Sequence, residues 1–198
     1  MTTNGSVQIV FYLLALLLLA WPLGAFMARI YQPELPPFLR WSSPVERGLY
    51  RLCGIRPEEE MSWTRYAFAV LSFNLLGLLA VYLLQRTQAW LPLNPQHLAN
   101  VTPDSSFNTA ISFASNTNWQ GYGGETTMSY LTQMMGLTVQ NFVSAATGMA
   151  VLAALMRAFT RRETHSIGNF WVDMPRSTLY VLLPLSLALS LLLVSQGV

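Results

Sequence analysis

The sequence predicts an all-α membrane protein with four transmembrane helices, because it is poor in charge and contains four long apolar runs. Of its 198 residues, 53% are hydrophobic and only 10% are charged, whereas about 25% of the residues in an ordinary soluble domain are charged. Lipid is therefore expected to cover much of the surface. A transmembrane helix needs about 20 predominantly apolar residues. The runs that meet this requirement are 7–27, 66–84, 134–156 and, slightly shorter, 178–194.

The first apolar run is interpreted as a retained helix and not as a cleaved signal peptide. A signal peptide carries positive charge before its apolar stretch, but residues 1–8 have no charged side chain and the first basic residue is Arg29. No small-residue cleavage pattern follows the run. Residues 1–30 are therefore predicted to form an N-terminal transmembrane helix whose N-terminus lies outside.

The arginines predict the orientation of the four helices. All eleven basic residues are arginine, and ten of them follow either the first or the third run. These ten are Arg29, Arg40, Arg47, Arg51, Arg56, Arg65, Arg157, Arg161, Arg162 and Arg176. Because Lys and Arg are enriched in cytoplasmic loops, residues 31–65 and 158–177 are predicted to be cytoplasmic connectors. A short amphipathic helix is expected at 44–53, and residues 178–198 are expected to form a span that ends outside.

The outer connector, residues 85–133, is long for a plain loop, and its middle predicts a half-length helix. Thr102-Pro103-Asp104-Ser105 is a typical helix start, and half of the residues that follow, up to Ser115, are apolar. A helix over 105–115 reaches about 15 to 18 Å, which is half of the bilayer core. We therefore predict a re-entrant pore helix over 105–115, within a span–loop–span unit at 66–157.

The polar stretch after this helix is the candidate ion-binding segment. Non-helical backbone is tolerated at membrane depth only where it is buried in protein or lines a watery cavity. The helix would direct the negative end of its dipole at this stretch, and the stretch would return outward as extended backbone. Its carbonyl oxygens could then replace the water around an alkali ion. The candidate residues are Asn116, Thr117, Asn118, Trp119, Gln120 and Gly121.

The third run carries a stripe of small and polar residues. Gly136, Gln140, Ser144 and Gly148 recur at intervals of four on an otherwise apolar helix. In lipid, such a stripe is expected to face protein or a cavity. Helix packing explains the stripe about as well as pore lining does. Asn74, in the second run, is interpreted as a packing or interhelical hydrogen-bonding residue.

The sequence offers little for enzymatic chemistry. His97 and His165 fall in connectors on opposite sides of the membrane, and none of the four runs contains a carboxylate. Intramembrane enzymes cluster such groups at one depth. No Walker-type glycine loop and no phosphorylatable aspartate motif is present, so neither catalytic residues nor an organic cofactor are predicted. The arginines lie between apolar runs, which argues against a nucleic-acid partner.

Several strings in this sequence resemble the KdpA family. Asn116-Thr117-Asn118-Trp119-Gln120, followed by Gly124-Glu125-Thr126-Thr127, resembles the first filter region of that family. Further matching strings are Leu91-Pro92-Leu93-Asn94-Pro95-Gln96, Gly136-Leu137-Thr138-Val139-Gln140-Asn141-Phe142, Arg157-Ala158-Phe159-Thr160-Arg161 and Gly168-Asn169-Phe170-Trp171-Val172-Asp173. The resemblance covers essentially the whole chain.

The resemblance implies a potassium-binding and translocating subunit of an ATP-driven uptake complex in the bacterial inner membrane. Such a subunit is similar to Trk, Ktr and HKT transporters, with four span–pore-loop–span repeats around one pore. ATP hydrolysis would belong to a P-type ATPase subunit, KdpB, with KdpC and KdpF as smaller partners. The filter would map onto residues 116–121, with potassium bound there by backbone carbonyls and Gln120 toward the outer entrance.

Length separates this chain from the family. Members are normally well over twice as long, so the chain is expected to be a fragment, a truncated gene product or half of a split subunit. One filter loop offers about two carbonyl oxygens per site, too few to replace a hydration shell. The remainder of the subunit is therefore an expected partner. The alternative functions are a passive potassium channel and a Trk/Ktr-type transporter subunit, which a requirement for ATP and partner subunits would distinguish.

Overall fold

The computed structural model describes residues 3–161 and 165–197, and the described residues are predominantly helical. Arg162, one of the arginines used to predict the orientation, lies outside the described residues. The α-helices are α1 (Thr3–Ile30), α2 (Ser43–Cys53), α3 (Trp63–Thr87), α4 (Pro103–Ala114), α5 (Gly124–Thr127), α6 (Val139–Thr160), α7 (Phe170–Arg176) and α8 (Leu183–Ser195). Short 3-10 helices occupy Pro37–Ser42 and Gln88–Trp90. π-helical segments occupy Thr132–Thr138 and Ser177–Leu182.

Four helices in the described part of the chain are long and apolar enough to cross a membrane. Their bounds are Asn4–Ile30, Trp63–Trp90, Thr132–Thr160 and Phe170–Ser195. The prediction of an all-α chain with four such helices is therefore confirmed. Each helix is longer than its apolar run because the flanking turns, although more polar, continue the backbone hydrogen bonding.

The start of the fourth long helix differs from the prediction. The sequence predicts a connector over 158–177 and a span that begins only at residue 178. In the structure the helix starts at Phe170, where the side chain of Asn169 accepts a hydrogen bond from the Trp171 N–H and so caps the first turn. The charged side chain of Asp173 is buried and paired, which allows this turn to be helical inside protein.

The chain divides into two compact units at Cys53 and Gly54, which are described separately. The first contains α1, which is apolar on all sides, as expected of a helix surrounded by lipid. It also contains α2, whose presence at Ser43–Cys53 confirms the short helix predicted at 44–53. On α2, the buried Tyr50 hydroxyl donates to the buried carboxylate of Glu46 one turn earlier.

In the second unit, α3 and α6 pack antiparallel. Tyr66, near the start of α3, donates its hydroxyl proton to the carbonyl oxygen of Ala150, whereas Leu84, near the end of α3, approaches Gly136, which precedes α6. Between these two contacts, Gly77 lies against the side chain of Gln140. The missing side chain at Gly77 allows this close approach, as is usual for helix pairs in membranes.

A buried ion pair between Arg157 and Asp173 lies at one end of the α3–α6 pair. Arg157 donates from Nη1 to Asp173 Oδ2 at 2.6 Å and from Nη2 to Asp173 Oδ1 at 2.8 Å, and the Tyr66 hydroxyl lies 3.1 Å from Oδ2. The guanidinium also donates to the carbonyl oxygen of Ile167. A Cβ built on Gly168 would collide with this guanidinium, and Gly168 has φ +105°. The cluster therefore joins α3, α6 and α7.

The two connectors beside this cluster pair with each other. Residues 61 and 167–168 exchange backbone hydrogen bonds, and an isolated bridge joins Ser62 to Ser166. Glu60 accepts hydrogen bonds from Ser166 and, at 2.8 Å, from Arg161. The Ser166 hydrogen bond and the Arg161 charge hold the pKa of Glu60 below its ordinary value, against a smaller opposing effect of burial.

Candidate functional site

The site is organised by α4, which packs against both α3 and α6. Proline at its first turn suits a helix start, because the N–H that proline lacks would have no partner there. Ala110 and Phe113 on α4 share an apolar cluster with Val81, Leu137 and Met128. At 12 residues, α4 is about 18 Å long. The half-length helix expected at 105–115 therefore exists at Pro103–Ala114, and its position relative to a membrane stays a prediction.

The candidate segment turns sharply at the C-terminal end of α4. The N–H of Asn116 donates to the carbonyl oxygen of Phe113, and the N–H groups of Thr117 and Asn118 both donate to that of Ser112. Asn116 and Asn118 have φ of 57° and 54°, in the left-handed region that asparagine enters more readily than most residues. These bonds satisfy carbonyl groups that the end of a helix leaves open.

The start of this turn, at Asn116 and Asn118, differs from the expected extended return from the helix. Asn116 and Asn118 are left-handed, with a residue of negative φ between them. The backbone curls at this point because the carbonyl oxygen of Ser112 accepts hydrogen bonds from two successive N–H groups, those of Thr117 and Asn118. The side chain of Ser112 makes a third hydrogen bond to this segment, because its hydroxyl donates to the carbonyl oxygen of Trp119 at 3.0 Å.

The side chains of the segment are joined to each other and to α6. Asn116 Oδ1 accepts hydrogen bonds from Asn118 Nδ2 at 3.2 Å and from Ser144 Oγ at 3.4 Å. Thr117 shares a hydroxyl–hydroxyl bond with Ser115, whereas Gln120 Nε2 donates to the carbonyl oxygen of Tyr122. Contact with Ser144 places the start of the turn beside the third long helix.

The six candidate residues form one continuous exposed surface. Each of Asn116, Thr117, Asn118, Trp119, Gln120 and Gly121 is exposed in this chain. The Trp119 ring lies over Gly121, where a Cβ would come within 2.9 Å of it. The turn is thus hydrogen-bonded to α4 and α6, while its residues stay exposed in this chain.

The electrostatics of this surface favour a cation. It adjoins the C-terminus of α4, where the helix dipole places partial negative charge. Burial raises the pKa of the neighbouring Tyr122 further above its ordinary value. Within residues 3–161 and 165–197, no group of three or more His, Cys, Asp or Glu side chains is arranged to hold a metal ion.

A cavity of about 490 Å³ lies beside the loop. It is lined by Gln96, Glu125, Tyr130, Gln133, Met134 and Thr138. Glu125 faces this cavity. Gln133 is held in its wall by hydrogen bonds from its amide to the carbonyl oxygens of Gly124 and Met128.

Sequence reasoning missed the residues that hold the loop in place. Gln85 was assigned to the outer connector, but it is fully buried on α3 and donates to the backbone carbonyl of Ser106 in α4. Arg86 donates to the carbonyl of Val101, and the N–H of Val101 donates to the carbonyl of Gln85. The available signal was the group of amide side chains directly after an apolar run.

The fold defines a multi-pass membrane protein in which a short packed helix presents an oxygen-rich turn. Comparison with known proteins gives the family. Residues 10–198 match the family model described as the potassium-transporting ATPase A subunit, KdpA. The chain belongs to this family.

Close relatives carry the name potassium-transporting ATPase potassium-binding subunit. The relative from Methylococcus capsulatus is 64% identical over 198 residues, and that from Chromobacterium violaceum is 62% identical over 197 residues. Each alignment covers 100% of this chain and 33% of the relative. A third, from Herpetosiphon aurantiacus, is 62% identical over 198 residues, which is 34% of that relative. The chain thus spans about a third of the length of these relatives.

Proposed function

We propose that this chain forms the first pore-loop repeat of a potassium-binding and translocating subunit. The observation that carries the proposal is the turn at the C-terminus of α4, where a packed half-length helix ends in exposed, left-handed asparagines. Backbone carbonyls of residues 116–121 would replace part of the hydration shell of potassium. The helix dipole supplies favourable negative potential without a fixed carboxylate.

The repeat would consist of residues 66–157, with residues 1–30 as a preceding span and 178–198 as the first span of the next repeat. This is the Trk/Ktr/HKT-like arrangement. The connectors 31–65 and 158–177 would lie in the cytoplasm, and the pore loop would enter from outside. The exposure of residues 116–121 in this chain supports this arrangement, because one loop cannot surround an ion. The remainder of the subunit would cover these residues with three similar loops.

The words ATPase and subunit in the names of the family and of the relatives support the proposal of partner subunits. A P-type ATPase subunit, KdpB, would hydrolyse ATP, and KdpC and KdpF would complete a high-affinity uptake complex in the bacterial inner membrane. This chain would be the non-catalytic, ion-translocating part. Potassium would be its cargo, and no organic cofactor is proposed.

Gln120→Arg in the assembled transporter tests the proposal. A fixed charge about 8 Å from the ion, at an effective dielectric constant of about 20, disfavours the ion by about 2 kcal/mol. We therefore expect the KM for potassium, measured by potassium-stimulated ATP hydrolysis, to rise about thirtyfold.

Gln120→Met is the matched control, because it removes the same hydrogen bond to Tyr122 without adding charge. It should raise the KM much less than the arginine variant does. Equal values of KM for the wild type and Gln120→Arg would remove this loop from the ion path. Potassium flux that needs neither ATP nor partner subunits would instead favour a passive channel.

A further inference from the structure

We infer that Gln88 is a positioning residue that sets the geometry of the candidate filter by joining the two limbs of the pore loop. The entry limb is residues 91–102, which precede α4, and the return limb is residues 122–131, which follow the filter. The inference rests on the proposed function, because it assigns a role in potassium selection to a residue that does not reach the turn at 116–121.

Gln88 uses its whole side-chain amide to connect the limbs. Its Nε2 donates to the carbonyl oxygen of Ala99 at 2.6 Å and to that of Thr127 at 2.7 Å. Its Oε1 accepts from the N–H of Ser129 at 3.1 Å and from the hydroxyl of Thr132 at 3.2 Å. A primary amide has two donor hydrogens and two acceptor lone pairs, so every one of them is engaged.

Burial makes these bonds strong determinants of position. Gln88 is 0% exposed, as is Thr132, and Ser129 is 2% exposed. A buried polar group that loses its partner keeps its full desolvation penalty, so alternative loop positions that break these bonds are disfavoured. The hydroxyls of Ser129 and Thr132 also bond to each other, which fixes the corner where the return limb enters the third long helix.

The position of the return limb is transmitted to the filter through apolar packing. Met128 lies between two residues that bond to Gln88, and it is 1% exposed in the cluster that contains Ala110 and Phe113 of α4. Phe113 in turn provides the carbonyl that accepts the N–H of Asn116. Displacing residues 127–129 would therefore move the end of α4 and the first residue of the turn.

The entry limb is also held by hydrogen bonds at Gln88 and at the next residue, Ala89. The N–H of Ala89 donates to the side chain of Asn100, and the Asn94 side chain donates to the carbonyl oxygen of Gln88. Gln88 thus lies where the end of α3, the approach to α4 and the exit from the filter meet. A cage of carbonyl oxygens discriminates between ions through its dimensions and flexibility, so loosening this junction should affect discrimination.

The test compares Gln88→Glu and Gln88→Met with the wild type in the assembled transporter. A glutamate keeps the size but places an acceptor against the carbonyls of Ala99 and Thr127, whereas methionine removes all four bonds. For both variants we expect the KM for potassium to rise at least about tenfold and the preference for potassium over rubidium to fall at least about fivefold, as the loss of buried hydrogen bonds predicts. The maximal rate per assembled complex should change much less.

Gln96→Glu is the charge control, since it makes the same substitution at an exposed residue of the same loop. Thr132→Val removes one of the four bonds to Gln88, together with the bond to the Ser129 hydroxyl. It is the milder variant if the glutamate protein does not assemble, and it should shift KM and selectivity in the same direction. A fall only in the amount of complex or in maximal rate, with unchanged KM and selectivity, would overturn the inference. A wild-type complex that showed no potassium dependence would instead refute the proposed function.

Discussion

Replacing Asp173 with asparagine should sharply destabilise the chain, because it leaves a buried guanidinium without its carboxylate. The side chain of Asp173 is 2% exposed and that of Arg157 is 15% exposed. Their two parallel hydrogen bonds, at 2.6 and 2.8 Å, form the bidentate geometry that is the strongest arrangement of this pair. Asparagine keeps the shape and one acceptor but removes the charge.

The expected loss can be estimated from the burial of both partners. Removing one member of a buried ion pair typically lowers the free energy of unfolding by about 3–5 kcal/mol, because the other charge stays desolvated. Asparagine retains some hydrogen bonding, and so the lower end, about 3 kcal/mol, is expected. This corresponds to a decrease of about 150-fold in the ratio of folded to unfolded chain. Removing both charges with Arg157→Met and Asp173→Leu should destabilise less than Asp173→Asn alone.

The assay is reversible unfolding of the purified chain in mixed micelles, with the free energy of unfolding measured for all variants. The exposed pair of Glu60 and Arg161, with side chains 39% and 31% exposed, provides the control. Its disruption by Glu60→Gln should change the free energy by less than about 1 kcal/mol at neutral pH. A loss below about 1 kcal/mol for Asp173→Asn would show that water screens the buried pair and would refute the reasoning.

Two further predictions concern the connectors and the helix pair. Because the hydrogen bond from Ser166 holds the pKa of Glu60 below its ordinary value, the stabilisation from Glu60 should be complete above about pH 4.3 and be lost as the pH falls through the lower folded-state pKa. Glu60→Gln should abolish this component of the pH dependence of unfolding, and an unchanged profile would contradict the assignment. Gly77→Ala should lower the free energy of unfolding by about 1–3 kcal/mol, because the new Cβ would collide with the amide of Gln140. Gly148→Ala, where nothing lies within 4 Å, is the matched control, and equal losses at both glycines would disprove the close contact.

The long helices could be predicted from sequence because lipid imposes a simple requirement. Every backbone polar group in the bilayer must be satisfied within the chain, so a long apolar run has little alternative to a helix. The runs at 7–27 and 66–84 illustrate this, since each lies within one long helix. The start of the fourth helix was not predicted, because the pairing of Asp173 with Arg157 leaves no local pattern in the sequence.

The buried face of the third long helix was predicted only in part. Gly136, Gln140 and Ser144 are buried, as expected, but Gly148 is exposed. Steps of four residues advance about 400° around a helix with 3.6 residues per turn, so the stripe drifts by about 40° at each step. From Gln140 to Gly148, both within α6, the drift over two steps is about 80°, which takes Gly148 off the buried face.

The candidate site could be predicted from sequence in its composition but not in its contacts. The sequence identified the polar segment 116–121 and the helix before it, since both depend on local composition. The sequence did not reveal that the Ser112 carbonyl would accept hydrogen bonds from the backbone of the turn. It also did not reveal that the Gln88 side chain would donate to Ala99 and Thr127, which lie 11 and 39 positions away. Such contacts between distant residues depend on how α3 and α4 pack, and side-chain amides give no pattern that specifies their partners.

The π-helical segments at Thr132–Thr138 and Ser177–Leu182 have a consequence for engineering this chain. A π-helical turn accommodates one more residue than an α-helical turn, since its hydrogen bonds reach five residues instead of four. The angular register of a span therefore changes within each segment, and one count of 3.6 residues does not describe both sides. A chimera in which a regular α-helical segment, shorter by one residue, replaces residues 132–138 would rotate Gln140 and Ser144 by about 100° relative to the preceding part of the span. Exchanges between members of this family should therefore move each π-helical segment together with the helix that follows it.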